Sequence, residues 1–129
     1  MGKDWKEFVE YARGRGVLAK ELFVVHSKPV VSADEIAETL PAHLDYQKKL
    51  EAEGVLFAAG PMADENGAVW SMEGLIILNA VSLEAARVLA DNDPMHKEGK
   101  KEYTIRPWLM NEGRLQIDVC LSNQKAGIG

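Results

Sequence analysis

The sequence predicts an α+β fold, and three features of its patterning support that prediction. Short apolar runs alternate with segments of helical periodicity, and the runs end at Gly, Pro or Asn. Residues 22–25 and 75–78 are apolar on both faces, which is typical of central strands. Ser32 and Ser82 stand where the N-caps of two helices are expected. Between the chain ends the order is strand, helix, strand, strand, helix, strand, which is the ferredoxin-like βαββαβ arrangement.

Each predicted element begins or ends at a recognisable signal. Asp4 opens a capping-box pattern before an extra N-terminal helix, and the first strand spans residues 21–26. A helical segment then follows Ser32, and Pro41 either kinks it or divides it into two short helices, so both alternatives stay open. The remaining predictions are a strand buried on both faces at residues 55–61, a strand at 74–79, a helix at 83–90, a short helix from Pro94 to Gly99, strands at 103–108 and 115–121, and a frayed C-terminus.

Length and composition restrict the class of protein. A chain of 129 residues is sized for a single domain, predicted over residues 1–129. A net charge of −5 argues against nucleic-acid binding, and no apolar run is long enough to span a membrane, so a cytoplasmic protein is expected. The single cysteine, Cys120, allows no internal disulfide. The charged run at residues 97–101 is expected to be a solvated face.

The predicted sheet has two apolar faces, but its helices can cover only one. The second face is most economically covered by another copy of the chain, which predicts a homodimer. The alternative is a monomer in which the N-terminal helix and the fifth strand provide the cover.

Polar residues from distant parts of the chain are expected to converge at one edge of this sheet. The topology brings there His26, His43, Gly60 with Met62, and the segment 91–96. Imidazoles and carboxylates that meet in this way are suited to acid–base chemistry. His43 is expected near the start of its helix, where the helix dipole disfavours the imidazolium and leaves a neutral base.

Each of these residues also has a purely structural interpretation. His43 could be a core-edge histidine bonded to a carbonyl, and Asp93 could simply cap the helix after Pro94. His26 and His96 could be solvated loop residues. Arg106 could anchor an anionic substrate or form an ordinary salt bridge.

Five motifs give the chain a resemblance to a known family. They are Leu-Pro-Ala-His43-Leu-Asp-Tyr, Leu-Glu-Ala-Glu-Gly-Val-Leu-Phe-Ala-Ala-Gly-Pro61, Ser82-Leu-Glu-Ala-Ala, Asp91-Asn-Asp93-Pro-Met-His96, and Ile-Arg106-Pro-Trp108. In this order and spacing they resemble the YciI-like (YCII-related) family over about residues 20–112. The combination of Pro-Ala-His-Leu with Asp-x-Asp-Pro is the specific part.

The resemblance implies a ferredoxin-like fold that dimerises through its sheets as a dimeric α/β barrel. It also implies a His–Asp dyad, which falls on His43 and Asp93, and reactions of small cyclic or aromatic enols, including a dehydrohalogenating lyase type. The chain departs from the short family form in its N-terminal helix and in the tail after Asn111. It also has Leu40 where an arginine often precedes the motif.

The leading hypothesis is a lyase or isomerase that acts on a small enolisable metabolite without a cofactor. His43 would be the general base and Asp93 would orient it. Substrate contacts are predicted for His26, Gly60, Met62, His96 and Arg106. One alternative is a non-catalytic module that binds a small molecule in the same cleft. Another is a metal site formed by His26, His43, His96 and Asp93.

Overall fold

The computed structural model describes residues 2–129, which divide into two compact units. The larger unit is Glu21–Leu109, and the smaller one combines residues 2–20 with Met110–Gly129. The larger unit holds a four-stranded sheet and helices, which confirms the predicted α+β class. That the whole chain folds as one domain stays a prediction.

The elements follow the predicted order, with one additional strand at the C-terminus. In chain order they are α1 (Trp5–Gly14), β1 (Lys20–Pro29), α2 (Ala33–Ala52), β2 (Leu56–Pro61), β3 (Gly74–Leu78), α3 (Leu83–Asp91), α4 (Pro94–Lys97), β4 (Lys101–Met110), β5 (Ile117–Cys120) and β6 (Lys125–Ile128). The sheet order is β2-β3-β1-β4, and β3 pairs antiparallel with both β1 and β2.

The core of the larger unit lies between one face of the sheet and the helices α2 and α3. Phe23 and Val25 of β1 are buried there with Leu50 of α2 and Ala86 of α3. Because successive side chains of a strand point to opposite faces, Val24 belongs to the other face, where it is only half-buried. The apolar character of β1 on both faces is therefore confirmed.

β2 is an edge strand, so the prediction that it is buried on both faces is wrong. It pairs with β3 on one side, and its register shifts between Leu56 and Ala58. All of its residues after Leu56 are exposed. The apolar run that predicted a buried strand instead supplies one wall of a cleft, as described below.

α2 is one continuous helix of 20 residues that contains Pro41. Its start is as predicted, because Ser32 and Glu35 form a complete capping box. His43 therefore lies near the middle of a helix and not in a first turn, which makes that prediction wrong. Since dipole effects fall off within the first turn, the helix dipole does not hold this imidazole neutral.

A serine caps the start of α3, and an aspartate caps the start of α4. Ser82 Oγ accepts a hydrogen bond from the Ala85 backbone N–H at 3.0 Å. Asp93 caps α4, with Pro94 at its start, and its Oδ1 accepts from the Met95 N–H at 3.0 Å. The cap leaves the rest of the Asp93 carboxylate free to contact α2.

The smaller unit contains α1 and a C-terminal hairpin. Asp4 caps α1 as predicted, accepting from the Glu7 N–H at 3.0 Å, and the helix buries Val9 and Ala12. The prediction of a frayed C-terminus is wrong, because β6 pairs antiparallel with β5. Ile117 lies opposite Ile128 in this pair, so the C-terminal residues gain a ladder of backbone hydrogen bonds.

None of the helices within residues 2–129 is both long enough and apolar enough to cross a lipid bilayer.

Candidate functional site

A cleft of about 830 Å³ lies in the larger unit, bordered by α2, β2, β3 and the connection between these two strands. Leu40 and Leu44 of α2 form one wall, and Phe57 and Gly60 of β2 belong to another. The large apolar side chains of α2 are not all part of the core, since Leu40 and Leu44 are 41% and 48% exposed. The cleft accounts for these exposed side chains, and an apolar concave surface of this size suits a small ring compound.

His43 lines the cleft and is hydrogen-bonded to Asp93. Its Nδ1 lies 2.8 Å from Oδ1 and 2.9 Å from Oδ2 of the carboxylate. The side chains are 17% and 3% exposed, so the carboxylate is nearly shielded from water. A carboxylate accepts hydrogen bonds, so Nδ1 is the nitrogen that carries the proton in this contact, and Nε2 is the nitrogen left to face a bound molecule. The predicted contact is present, whereas its catalytic role stays a prediction.

Three donors position the Asp93 carboxylate. Besides His43 Nδ1–H and the Met95 N–H, Gln47 Nε2 donates to Oδ2 at 3.5 Å from one helical turn beyond His43. Gln47 Oε1 is buried and has no hydrogen-bond partner within residues 2–129. Turning the Gln47 amide over would direct Oε1 towards the Asp93 carboxylate, and two acceptors repel each other. The amide nitrogen Nε2 therefore stays on the side of the carboxylate. Asp93 is thus both the predicted helix cap and a partner of His43.

Tyr46 ties α2 to α3 next to this pair. Its hydroxyl donates to the Leu89 carbonyl at 2.7 Å. Burial raises the pKa of Tyr46 first, and the negative charges of Asp93 and Glu53 raise it further. The phenol therefore stays protonated, and its hydrogen bond to the Leu89 carbonyl links α2 to α3.

A second histidine reaches the cleft through a serine. His96 Nδ1–H donates to the Ala90 carbonyl at 2.7 Å, which leaves Nε2 to accept a hydrogen bond from Ser27 Oγ at 2.7 Å. The Tyr103 ring lies against the imidazole, with centroids 4.7 Å apart. Ser27 lines the cleft and His96 does not, so the predicted direct contact of His96 with a substrate gains no support from the lining and stays a prediction. The solvated-loop alternative is wrong, because the ring is bonded at both nitrogens.

Ser27 is a site residue that the sequence interpretation missed. It is 3% exposed and follows Phe23 and Val25 on the buried face of β1. A hydroxyl at an inward position of a strand needs a hydrogen-bond partner. The inward position of Ser27 on its strand was therefore a sequence signal for a polar contact on the buried face of β1.

His26 and Arg106 do not line the cleft. His26 neighbours Ser27 on β1, so its side chain lies on the opposite face, where Nε2 is 2.8 Å from Glu73 Oε1. Arg106 borders a smaller depression with Val24 and Ile77. Strand alternation directs both side chains away from the cleft, so their predicted contacts with a substrate gain no support from its lining and stay predictions.

The other two predicted contact residues, Gly60 in β2 and Met62 just after it, differ in their position relative to the cleft. Gly60 lines the cleft as predicted. Met62 does not line it, and its backbone N–H donates to the Glu73 carbonyl at 3.1 Å. Met62 therefore ties the end of β2 to the start of β3, which is a structural role.

The three imidazoles do not share a centre. His26 contacts Glu73, His43 contacts Asp93, and His96 contacts Ser27. Over residues 2–129 no group of three or more His, Cys, Asp or Glu side chains is arranged to hold a metal ion. The alternative of a metal site built from His26, His43, His96 and Asp93 therefore has no geometric basis.

Lys101 is the second site residue that was missed. The prediction of a solvated face is wrong for Lys100 and Lys101, which are both partly buried. Lys100 Nζ contacts the Glu35 carbonyl at 3.1 Å, whereas Lys101 lines the cleft and donates to the Met72 carbonyl at 2.6 Å. Burial lowers the pKa of Lys101, and the negative charge of Asp93 partly opposes this effect.

Sequence comparisons identify a family and two relatives of this chain. The model of the YCII-related domain matches residues 21–109. Protein YciI of Escherichia coli O6:H1 is 34% identical over 95 residues, which cover 67% of this chain and 95% of that protein. The uncharacterized protein YjpA of Bacillus subtilis is 31% identical over 75 residues, covering 58% of this chain and 81% of YjpA.

The fold is similar to that of a solved structure of another protein. That protein is the 5-chloro-2-hydroxyhydroquinone dehydrochlorinase of Burkholderia phenoliruptrix AC1100 in complex with 2,5-dihydroxybenzoquinone. The superposition has a TM-score of 0.57 at 22% sequence identity and covers 67% of this chain and 92% of the other. At this identity the likeness establishes the ferredoxin-like fold.

Proposed function

The chain belongs to the YCII-related family, and from this membership and the geometry around His43 we propose that it is a lyase or isomerase acting on small enolisable ring compounds. The observation that carries the proposal is the imidazole at the cleft surface, held through Nδ1 by a carboxylate that is almost completely buried. This arrangement leaves one basic nitrogen for a bound molecule.

In the proposed reaction His43 removes a proton from carbon. The proton moves to Nε2, and the electron pair of the broken C–H bond forms an enolate. The enolate then either expels a leaving group such as chloride or takes the proton back at another carbon. Asp93 stabilises the imidazolium throughout, and a base positioned in this way contributes about 100- to 10,000-fold to the rate. The chemistry proposed requires no cofactor.

The cleft and the structural neighbour support a planar oxygenated ring as the substrate. The neighbour is a dehydrochlorinase, and its complex contains 2,5-dihydroxybenzoquinone. The cleft of this chain is about 830 Å³ and is lined mostly by apolar side chains, including Trp70 and Phe57. Such walls pack against a flat ring and exclude water from the proton transfer.

Hydrogen–deuterium exchange tests this function directly. The ring C–H protons of 2,5-dihydroxybenzoquinone exchange with D₂O by protonation and deprotonation at carbon, and proton NMR follows their loss. The wild-type protein should accelerate the exchange above the rate in buffer, and His43→Ala should reduce that acceleration about 100- to 10,000-fold. His26→Gln is the matched control, because His26 also contacts a carboxylate at 2.8 Å but lies outside the cleft.

Two results would argue against the proposal. Equal acceleration by the wild type and His43→Ala would remove the dyad mechanism. Saturable binding of the quinone without exchange or product would instead favour the non-catalytic binding module.

We also propose that the chain forms a homodimer through the sheet face opposite the helices. Val24 and Ile77 are half-buried on this face of one chain, and Trp108 is 41% exposed there. Burial of these side chains against a second copy would remove apolar surface from water. Light scattering after size-exclusion chromatography should give twice the chain mass of 14.2 kDa, and the mass of one chain would contradict the dimer.

The cytoplasm is the proposed location. A free, exposed Cys120 fits a compartment that keeps thiols reduced. Fractionation of the native cells tests it.

A further inference from the structure

The lining of the cleft contains more carboxylates than lysine or arginine side chains. The described lining contains the carboxylates Glu51 and Glu73, the dyad imidazole and a single lysine, Lys101, and it contains no arginine. Glu73 is already hydrogen-bonded to His26. Lys101 is therefore the one cationic side chain, apart from a protonated His43, that these residues offer to a bound molecule.

Lys101 has unused hydrogen-bonding capacity. An ammonium carries three N–H donors, and one of them is satisfied by the Met72 carbonyl at 2.6 Å. None of the carboxylates within residues 2–129 forms an ion pair with Nζ. A partly buried ammonium without an ion-pair partner gains free energy when an anionic group replaces its lost hydration.

The Met72 carbonyl that receives Lys101 belongs to an unusual backbone conformation. Met72 has φ +66°, in the left-handed region that residues other than glycine rarely adopt. The adjacent segment is held in place because Trp70 Nε1 donates to the Glu73 carbonyl at 2.8 Å. Met72, Trp70 and Glu73 all line the cleft, so this segment both forms its wall and anchors Nζ.

The ammonium also shares the cleft with the proposed base. Lys101 and His43 both line it, and the charge of Asp93 acts electrostatically on Lys101. When a base removes a proton from carbon, negative charge develops on the oxygen of the enolate. A cation fixed beside that oxygen lowers the energy of the transition state more than that of a neutral substrate.

We infer that Lys101 binds the anionic oxygen of the substrate, so that the cleft selects ring compounds carrying an enolate, phenolate or carboxylate. The inference rests on the proposed function, because it assigns the substrate class of the same cleft. Lys101 supplies the charge that the sequence interpretation had assigned to Arg106, which lies on the other face of the sheet.

Equilibrium binding tests this inference without requiring turnover. The anionic probe is 2,5-dihydroxybenzoquinone, whose acidic hydroxyls are ionised at neutral pH, and the uncharged probe is hydroquinone, a ring of similar size. Calorimetry should show that Lys101→Met weakens binding of the anion about 10- to 100-fold, the range expected for a hydrogen bond to a charged group. Binding of hydroquinone should change less than about threefold.

Lys100→Met is the matched control. It removes the same charge one residue away, but Lys100 contacts Glu35 and Glu38 and does not line the cleft. Its affinity for both probes should equal that of the wild type. Lys101→Gln is a second variant, since it keeps a donor for the Met72 carbonyl without the charge, and it should also lose affinity for the anion.

Three results would overturn the inference. They are a wild type that does not bind the anion, a wild type that binds both probes equally, and full anion affinity in folded Lys101→Met or Lys101→Gln. The proposed function fails separately. Lysine-dependent binding without deuterium exchange would keep the anion site and remove the acid–base reaction, and exchange without lysine dependence would do the reverse.

Discussion

Residues 2–129 contain two histidine–carboxylate pairs with the same contact distance and different surroundings. His43 Nδ1 and Asp93 Oδ1 are 2.8 Å apart, as are His26 Nε2 and Glu73 Oε1. The side chains of the first pair are 17% and 3% exposed, and those of the second are 33% and 26% exposed. Distance alone therefore does not distinguish the candidate catalytic pair from a histidine–carboxylate contact whose imidazole lies outside the cleft.

The two pairs differ in how many hydrogen bonds hold the carboxylate and in whether the imidazole lines the cleft. Asp93 accepts from His43, Gln47 and the Met95 backbone, so its position is set by two helices. No further hydrogen bond to the Glu73 carboxylate is found within residues 2–129. Shielding from water also strengthens the electrostatic effect of Asp93 on its imidazole, whereas pairs near water contribute little.

Exchanging each carboxylate for its amide gives the largest expected contrast between the two pairs. Asp93→Asn should reduce the acceleration of deuterium exchange at least about 100-fold, because an amide cannot stabilise the imidazolium and can donate to Nδ1, which favours the wrong tautomer. Glu73→Gln should change the rate less than about threefold, because the Glu73 carboxylate lines the cleft but is bonded to His26 and not to His43. NMR exchange rates at equal protein concentration measure both. Equal losses in the two variants would show that burial does not set the difference.

Removing the hydroxyl of Ser27 probes the stability of the cleft face. Ser27→Ala leaves Nε2 of His96 as a part-buried acceptor without its donor, which should lower the free energy of unfolding by about 1–3 kcal/mol. His26→Gln, on the more exposed face, should lower it by at most about 1 kcal/mol. Urea denaturation followed by circular dichroism measures both variants. A larger loss for His26→Gln would reverse the comparison of the two faces.

The smallest expected effect concerns the hydrogen bond between Tyr103 and Asp91. Tyr103 donates to Asp91 Oδ1 at 2.5 Å, and burial, followed by this hydrogen bond and the charge of Asp91, raises the pKa of Tyr103 to about 12 from 10.0. Because the folded state holds this proton more tightly than the unfolded state, the stabilisation is present below pH 10 and is lost as the pH rises towards 12.

Tyr103→Phe should therefore be less stable than the wild type at pH 8, and the difference should shrink as the pH rises through this window. Thermal unfolding at a series of pH values checks the sign. A difference that grows between pH 10 and 12 would contradict the cause assigned to the shift.

Local signals in the sequence were enough to predict the order of elements and most helix caps. Caps depend on residues three positions apart, as with Ser32 and Glu35, and a βαββαβ order with short connections leaves few ways to arrange the sheet. The resemblance to a family added the identity of the dyad, which periodicity did not single out.

The tertiary structure alone decided which polar residues face the cleft. Ser27 and His26 are neighbours in the chain but lie on opposite faces of β1, and Lys101 belongs to a charged run that resembles a solvated surface. Likewise, β2 is apolar in sequence but lies at the edge of the sheet, where its side chains line a cavity. Alternation along a strand predicts that neighbours face opposite ways, but which face borders the cleft and which strand lies at the edge depend on register and strand order. Contacts between distant segments set both.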